Sequence, residues 1–403
     1  MKNNILIFLF VLIFSSCGNT ENNLSKKADR IHRKILTVDM HCDTPLNLVG
    51  SDFDPGKRNN EGCVDFPRMI EGGLDSEFFA IFISQGARND TAYQNAHKTA
   101  LEMFDAIHKS LEKNSALAEL ALTPDDALKI KKKKKRAIFI CLENGYPIGR
   151  NLDRIREYYD LGARYITLCH SGNNDICDSS NDPRGPENNG LSPFGEEVVK
   201  KMNETGMIVD VSHISDESFF DVLKVSKAPV IASHSSCRAL CSSPRNLTDE
   251  MLLALKENGG VIHICILSNF IKTPEPNPEL NAKLKEHKES WGDIKKLTQE
   301  QQKEYRSQRK ELQSKYKRLA TVADVVDHID HVVQVIGIDY VGIGTDFDGG
   351  GAVEGCSSVA EMKNITLELL RRGCSKSDIK KIWGANSMRV FREVEAIAEK
   401  DKI

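Results

Sequence analysis

The chain has 403 residues, 40% of them hydrophobic and 28% charged, with a formal net charge of −3 at neutral pH. That composition belongs to an ordinary globular protein with enough apolar residues for a sizeable core, and it excludes a disordered or fibrous chain. Without a basic excess nothing points to nucleic acid as a partner, and a small-molecule substrate fits better.

The first residues read as an address. Lys2 precedes an apolar run from Ile5 to Phe14, which closes on Ser15, Ser16 and Cys17. The run is short for a bilayer span, and small residues before a cysteine read as a bacterial lipoprotein signal with Cys17 as the acylated residue. Residues 1–17 are therefore expected to be a leader, 18–30 a polar linker and 31–403 one catalytic domain. The mature chain would be exported and tied to the membrane only through Cys17, in the periplasm or outer membrane of a Gram-negative cell. Ten further cysteines, an even number in an oxidising compartment, allow one or more disulfides. Cys42, Cys141 and Cys169 sit inside apolar runs, where cysteine serves as a small hydrophobe.

Past the linker, short β-branched runs alternate with amphipathic stretches. Strands are predicted over 35–43, 77–84, 137–144, 165–170, 207–213, 229–235, 261–267 and 340–347. Helices are predicted over 90–112, 152–161, 193–204, 216–225, 249–257 and 322–335, two of them opened by the capping pairs Ser215-Asp216 and Thr248-Asp249. Eight strands each followed by a helix predict an α/β fold, a (β/α)8 TIM-type barrel. An open doubly wound sheet usually has fewer strands and a Gly-rich phosphate loop, which is not found here. The Lys131–Lys135 run reads as a solvated helix end. A charged helical excursion over 272–319, opened by Pro274, Pro276 and Pro278, follows the seventh strand; wall, lid, subunit contact and plain solvated excursion are all open there.

Side chains suited to metal ions gather at the carboxyl ends of these strands. His41 and Asp43, two apart on one strand face, can grip one ion together. Glu143 follows the apolar run 138–142; either it is an exposed turn acid, or its two oxygens each meet one of two cations and offset their repulsion. His213 and His234 end the fifth and sixth strands and complete a second ion's set. Asp210, inside its strand, reads as a supporting or packing acid. On the eighth strand Asp346, preferred over Asp348, could orient a water and carry its proton to a leaving amine; both acids share a face if the strand runs that far. His170 ends the fourth strand, placed to hydrogen-bond a carbonyl or tetrahedral oxygen. Arg245, in the loop after the sixth strand, could hold a free carboxylate in its planar fork. His263 on the seventh strand stays open between packing and a contact with the substrate side chain.

These residues resemble the membrane (renal) dipeptidase family of zinc peptidases, in its bacterial branch, from about Ile35 through Phe391. The resemblance rests on Asp39-Met40-His41-Cys42-Asp43, Val209-Asp210-Val211-Ser212-His213, Ser233-His234-Ser235-Ser236 and Ile343-Gly344-Thr345-Asp346-Phe347-Asp348-Gly349. It implies an amidohydrolase-like barrel with two zinc ions, His41 and Asp43 on one, His213 and His234 on the other, and Glu143 bridging. It further implies that His170 and Arg245 bind substrate, that Asp346 is the acid/base, and that His328 and His331 are helix residues rather than ligands. The implied reaction is hydrolysis of dipeptides with a free C-terminal carboxylate, with tolerance of a D-residue at the second position, by a homodimer. This sequence departs from the pattern in placing Asn144 after Glu143, where Gly is more usual. Two other readings compete: another amidohydrolase-like metal hydrolase, such as a deaminase or lactonase, which Arg245 and its loop discriminate, and a non-catalytic peptide-binding lipoprotein, against which the intact ligand set argues.

Overall fold

Nine parallel strands form one sheet in a computed structural model that describes residues 21–400 apart from 293, 295, 296 and 317. The lipoprotein-type leader with Cys17 lies outside the described residues. In chain order the strands are β1 (Val38–Cys42), β2 (Ser76–Phe82), β3 (Ala118–Leu120), β4 (Arg136–Glu143), β5 (Ala163–Thr167), β6 (Ile208–Asp210), β7 (Ile231–Ser235), β8 (Val261–Ile264) and β9 (Val341–Ile343). Their order is β1-β2-β4-β5-β6-β7-β8-β9, with β3 a short addition paired to β4. The ring closes through the parallel bridge Cys42↔Phe347, where the Asp43 N–H donates to the Phe347 carbonyl at 2.8 Å and the Asp346 N–H to the His41 carbonyl at 3.1 Å. Asp39 reinforces the seam, its carboxylate accepting from the Thr345 N–H at 2.8 Å and the Thr345 hydroxyl at 2.6 Å. The fold is a (β/α)8 barrel wrapped by helices.

Each predicted run overlaps one barrel strand, with β2, β4 and β5 beginning one or two residues earlier than predicted. Residue alternation sorts every strand into two faces. Phe79, Ile81, Ile138, Ile140 and Leu142 join the core shared with the outer helices. Phe78, Ala80, Phe139 and Cys141 join a second cluster that fills the barrel and is capped from below by Met388, Phe391 and Val394 of the last helix, Asn386–Lys400. Phe78 and Phe139 stack at 4.6 Å there, and each such ring removed from water contributes about 1.5–3 kcal/mol. Glu143 is the next inward residue above Phe139 and Cys141, and Phe82 the next above Phe78 and Ala80. The packed column below therefore delivers both to the mouth.

Helices 216–225 and 322–335 form as predicted, and the side chains of Ser215 and Thr248 cap theirs by accepting from the N–H groups of Ser218 and Met251. Several expectations need correction. Residues 21–34 are helical rather than a polar linker, because Ala28 and Ile31 recur at helical spacing and bury their side chains together with Ile35, just beyond the helix. The lysine run is not simply solvated: Lys131 pairs with Asp75 and donates to the Ile35 carbonyl at 2.7 Å, while Lys133 and Lys135 pair with Glu119. All ten cysteines among the described residues are free thiols, eight of them buried. The charged excursion is a pair of packed helices, Pro278–Trp291 and Gln299–Tyr316, joined across by His287 stacked on Tyr305 at 4.8 Å. Among the described residues no helix is long and apolar enough to cross a membrane.

Candidate active site

The strands stop short of most polar residues they present. β5 ends at Thr167, β6 at Asp210 and β9 at Ile343, so His170, His213 and Asp346 each stand three positions farther on, in the loops at the barrel mouth. Register irregularities lie between Asp39 and Cys42 on β1 and between Ala232 and Ser235 on β7, bracketing His41 and His234. A bulge of this kind turns a side chain that plain alternation would aim elsewhere. Four of the six non-glycine residues with left-handed backbone among those described also lie here: Asn144 at φ 77°, His213 at 73°, Asp346 at 61° and Asp348 at 66°. Such conformations persist where the surrounding structure dictates them, and they concentrate at functional sites. Asn144 occupies a position that glycine fills easily and asparagine tolerates, which accounts for its place after Glu143.

Glu143 stands at the centre, buried. Its Oε2 is 3.7 Å from His41 Nε2; its Oε1 is 3.1 Å from His213 Nε2, 3.4 Å from His234 Nε2 and 3.8 Å from His170 Nε2. His41 Nε2 is also 3.9 Å from Asp43 Oδ1. Three overlapping sets have all their potential ligand atoms within 4.8 Å of one another: His41, Glu143 and His234; Glu143, His170 and His213; and His41, Asp43 and Asp346. His41 Nε2, Asp43 Oδ1 and His213 Nδ1 are buried without a hydrogen-bond partner. An orphaned buried acceptor carries a desolvation cost that a bound cation removes, and of these atoms His41 Nε2 and Asp43 Oδ1, 3.9 Å apart, are the two placed for one; His213 meets Glu143 through Nε2 instead. Gly349 makes the convergence sterically feasible, since a Cβ there would stand 2.0 Å from Asp43 Oδ2 and 2.3 Å from Asp346 Oδ1.

Charge tells the same story. Burial works to raise the Glu143 pKa, yet His41, His213 and His234 hold the carboxyl well below its usual range. Burial drives His213 and His234 well below the usual imidazole range, leaving them neutral. Burial, seconded by the charge of Glu143, pushes Asp43 up, and burial lifts Asp346 to about 7. Carboxylates crowded so closely are stabilised in their charged form by divalent cations.

Two hydrogen-bond chains set the histidine tautomers. The Tyr165 hydroxyl donates its single proton to the Met40 carbonyl at 2.9 Å, so the 2.7 Å contact with His41 is donated by His41 Nδ1–H. Likewise the Ser233 hydroxyl donates to Asp210 Oδ2 at 2.7 Å, and His234 Nδ1–H donates to Ser233 at 2.8 Å. With Nδ1–H committed to these partners, Nε2 of each ring is the nitrogen left facing Glu143, as ligation requires. Tyr165→Phe and Ser233→Ala are each expected to weaken metal binding about 10- to 100-fold, measured by chelator competition on the folded protein. Unchanged affinity in both variants would remove these chains from the metal site.

The remaining predicted residues find definite places. Asp210 is no ligand: it gathers Thr167, Ser212 and Ser233, the last of these orienting His234. Asp346 faces His41 and Asp43, whereas Asp348 accepts from the Thr44 hydroxyl at 2.7 Å and the Cys63 N–H at 2.6 Å and so ties down loops. Arg245 is buried, with Nη2 donating to the His234 carbonyl at 3.0 Å, its guanidinium 5.3 Å from the centre of the Phe270 ring, and Nε unpartnered. His170 packs between Phe82, at 4.7 Å, and His213, at 4.2 Å. His263 belongs to the packing: it bonds the Ala232 carbonyl and the Ser387 hydroxyl, beneath the site. His328 is a buried helix residue holding the Ile271 carbonyl and the Cys237 N–H; His331, in the same helix, pairs with Asp249. Sequence reasoning missed Tyr165, Phe82 and Gly349. Of these only Gly349, beside two acids in a Gly-rich run, carried a local signal.

Comparison with known proteins agrees with this geometry. Residues 25–403 match the membrane dipeptidase family, peptidase family M19. The dipeptidase TcpJ of Claviceps purpurea is 33% identical over 359 residues, covering 88% of this chain and 74% of that protein. The dipeptidase VerJ of Clonostachys rogersoniana is 32% identical over 404 residues, covering 97% and 92%. The crystal structure of the probable dipeptidase PvdM from Pseudomonas aeruginosa superposes with a TM-score of 0.81 at 29% identity, covering 93% of this chain and 99% of that one. Relatives of this similarity come from fungi as well as a bacterium, so they do not assign the chain to a bacterial branch.

Proposed function

The chain belongs to the membrane dipeptidase family and is a metallo-dipeptidase, and from that premise we propose that it hydrolyses dipeptides with a free C-terminal carboxylate at a site built for two zinc ions. The observation that carries this reading is the division of Glu143, one oxygen turned to His41 and the other to His213 and His234. Imidazole and carboxylate donors in this number suit zinc. His41 and Asp43 would hold one ion, His213 and His234 the other, with Glu143 between them.

Bound there, the metals supply Lewis acidity and lower the pKa of water toward neutrality. The protein's own residues do the rest. Asp346 faces the same centre, positioned to take a proton from the attacking water and return it to the leaving nitrogen. His170, held by Phe82 and His213, stands where a hydrogen bond would stabilise the tetrahedral oxyanion. Arg245 offers the substrate carboxylate its unpartnered Nε–H in a buried setting. A dipeptide whose carboxylate is replaced by a carboxamide is accordingly expected to lose roughly 10- to 150-fold in kcat/KM, the worth of a charge-assisted hydrogen bond.

The leader ending at Cys17 supports export and lipid anchoring, in the periplasm or outer membrane of a Gram-negative cell, as part of the same proposal. D-residue tolerance, homodimerisation and membership of a bacterial branch rest on the family resemblance. One experiment tests the core: metal content by mass spectrometry of purified protein, then hydrolysis of paired L-X-L and L-X-D dipeptides with and without chelator. About two zinc ions per chain and chelator-sensitive cleavage are expected; a fully metallated protein that cleaves no member of the panel defeats the reading.

A further inference from the structure

An apolar cleft of about 580 Å³ opens beside the site. One wall is the chain that follows β1, with Leu46 and Val49; the other is the outer helix Asp90–Lys113, with Ala96, Thr99 and Met103; Phe82, the last residue of β2, joins cleft to catalytic centre. That ring meets His170 at 4.7 Å and pairs in register with Glu143. No charged side chain lines the cleft. Leu46 and Val49 are 44% and 48% exposed, so this wall presents aliphatic surface that is open to a ligand.

Barrel order gives the cleft an orientation. β2 and β7 lie four places apart in a ring of eight, so Phe82 and the Arg245 loop face each other across the mouth. A dipeptide with its carboxylate at Arg245 and its scissile carbonyl over Glu143 directs its first residue toward β2. We infer that this cleft is the subsite for the first residue's side chain and that it selects bulky apolar groups, aromatic rings above all, over small or charged ones. The volume exceeds one ordinary side chain and falls in the range of small-molecule pockets, so extended apolar substituents are accommodated as well.

This inference rests on the dipeptidase reading, and its test separates the two. Metallated enzyme is assayed on dipeptides with a constant second residue and Gly, Leu, Phe, Trp or Glu first. Phe and Trp are expected to exceed Gly and Glu by about ten- to a hundredfold in kcat/KM. Val49→Asp and Thr99→Trp alter exposed cleft positions outside the catalytic machinery; they are expected to cut the aromatic preference about tenfold while leaving Gly-first turnover unchanged. In parallel, calorimetry compares two phosphinate pseudodipeptides, with and without a benzyl group at the first position, on wild type and both variants. A flat panel, or a preference that survives both substitutions, overturns the cleft as a subsite while the dipeptidase reading stands. If no peptide is cleaved, the dipeptidase reading fails, and the calorimetry still decides: a benzyl preference lost in the variants supports the cleft, and equal or absent binding of the benzyl compound overturns it.

Discussion

Glu143→Gln is expected to lower kcat/KM by about a thousandfold or more and to drop metal content from two ions per chain to one or none. The substitution keeps the shape of the side chain, so the column of Phe139 and Cys141 beneath it stays packed. What disappears is a negative charge whose two oxygens face separate sets of imidazoles, at 3.7 Å on one side and 3.1 and 3.4 Å on the other. A unit charge about 4 Å from another at an effective dielectric near 20 is worth about 4 kcal/mol, which converts to roughly three powers of ten in rate or occupancy. The amide also turns an N–H2 toward one set, where it repels a cation. Metal analysis, single-turnover hydrolysis and circular dichroism on the same preparation separate site loss from unfolding. Retention of both ions with activity within tenfold of wild type would show that Glu143 is not the shared ligand.

Much of the architecture was legible in the order of apolar runs. Strand and helix positions depend on local alternation and capping, and the metal-type side chains stood out because polar groups at the ends of buried strands have no apolar neighbours to join. The reasoning from alternation nevertheless failed in detail. Asp43 lies just past β1 and does not share a strand face with His41; register slips and loop backbone bring the two together. The same holds for Asp346 and Asp348, which lie beyond β9 with left-handed backbone and diverge, one to His41 and Asp43 and the other to Thr44 and Cys63. Tyr165 was invisible because its partner His41 comes from the far side of the barrel. The helix over 21–34 was missed because its few apolar residues sit among many polar ones; only their spacing and the barrel surface beneath make it a helix. Arg245, read from the sequence only as a loop residue, is buried because its own loop folds back over the mouth.

That divergence of the two acids makes the second large effect a paired one. Asp346→Asn is expected to lower kcat by about 10²- to 10⁴-fold, the usual share of a positioned proton carrier, with KM and bound metal nearly unchanged. Burial lifts the Asp346 carboxyl to about 7, with Glu143 adding to the rise and His41 and Arg245 opposing it, so it lies near the pH at which a group can both accept and return a proton. Asparagine preserves its size next to Gly349 and Cys265 but cannot carry the proton. Asp348→Asn probes the alternative two residues away. Its oxygens already accept from Thr44 and the Cys63 N–H, so the amide replaces an acceptor in a structural tie and costs about 1–3 kcal/mol of stability. Turnover per folded, metallated molecule should then stay within a few fold of wild type. A loss of kcat in Asp348→Asn that matches or exceeds that in Asp346→Asn, with both proteins folded and loaded, would transfer the proton-carrying role to Asp348.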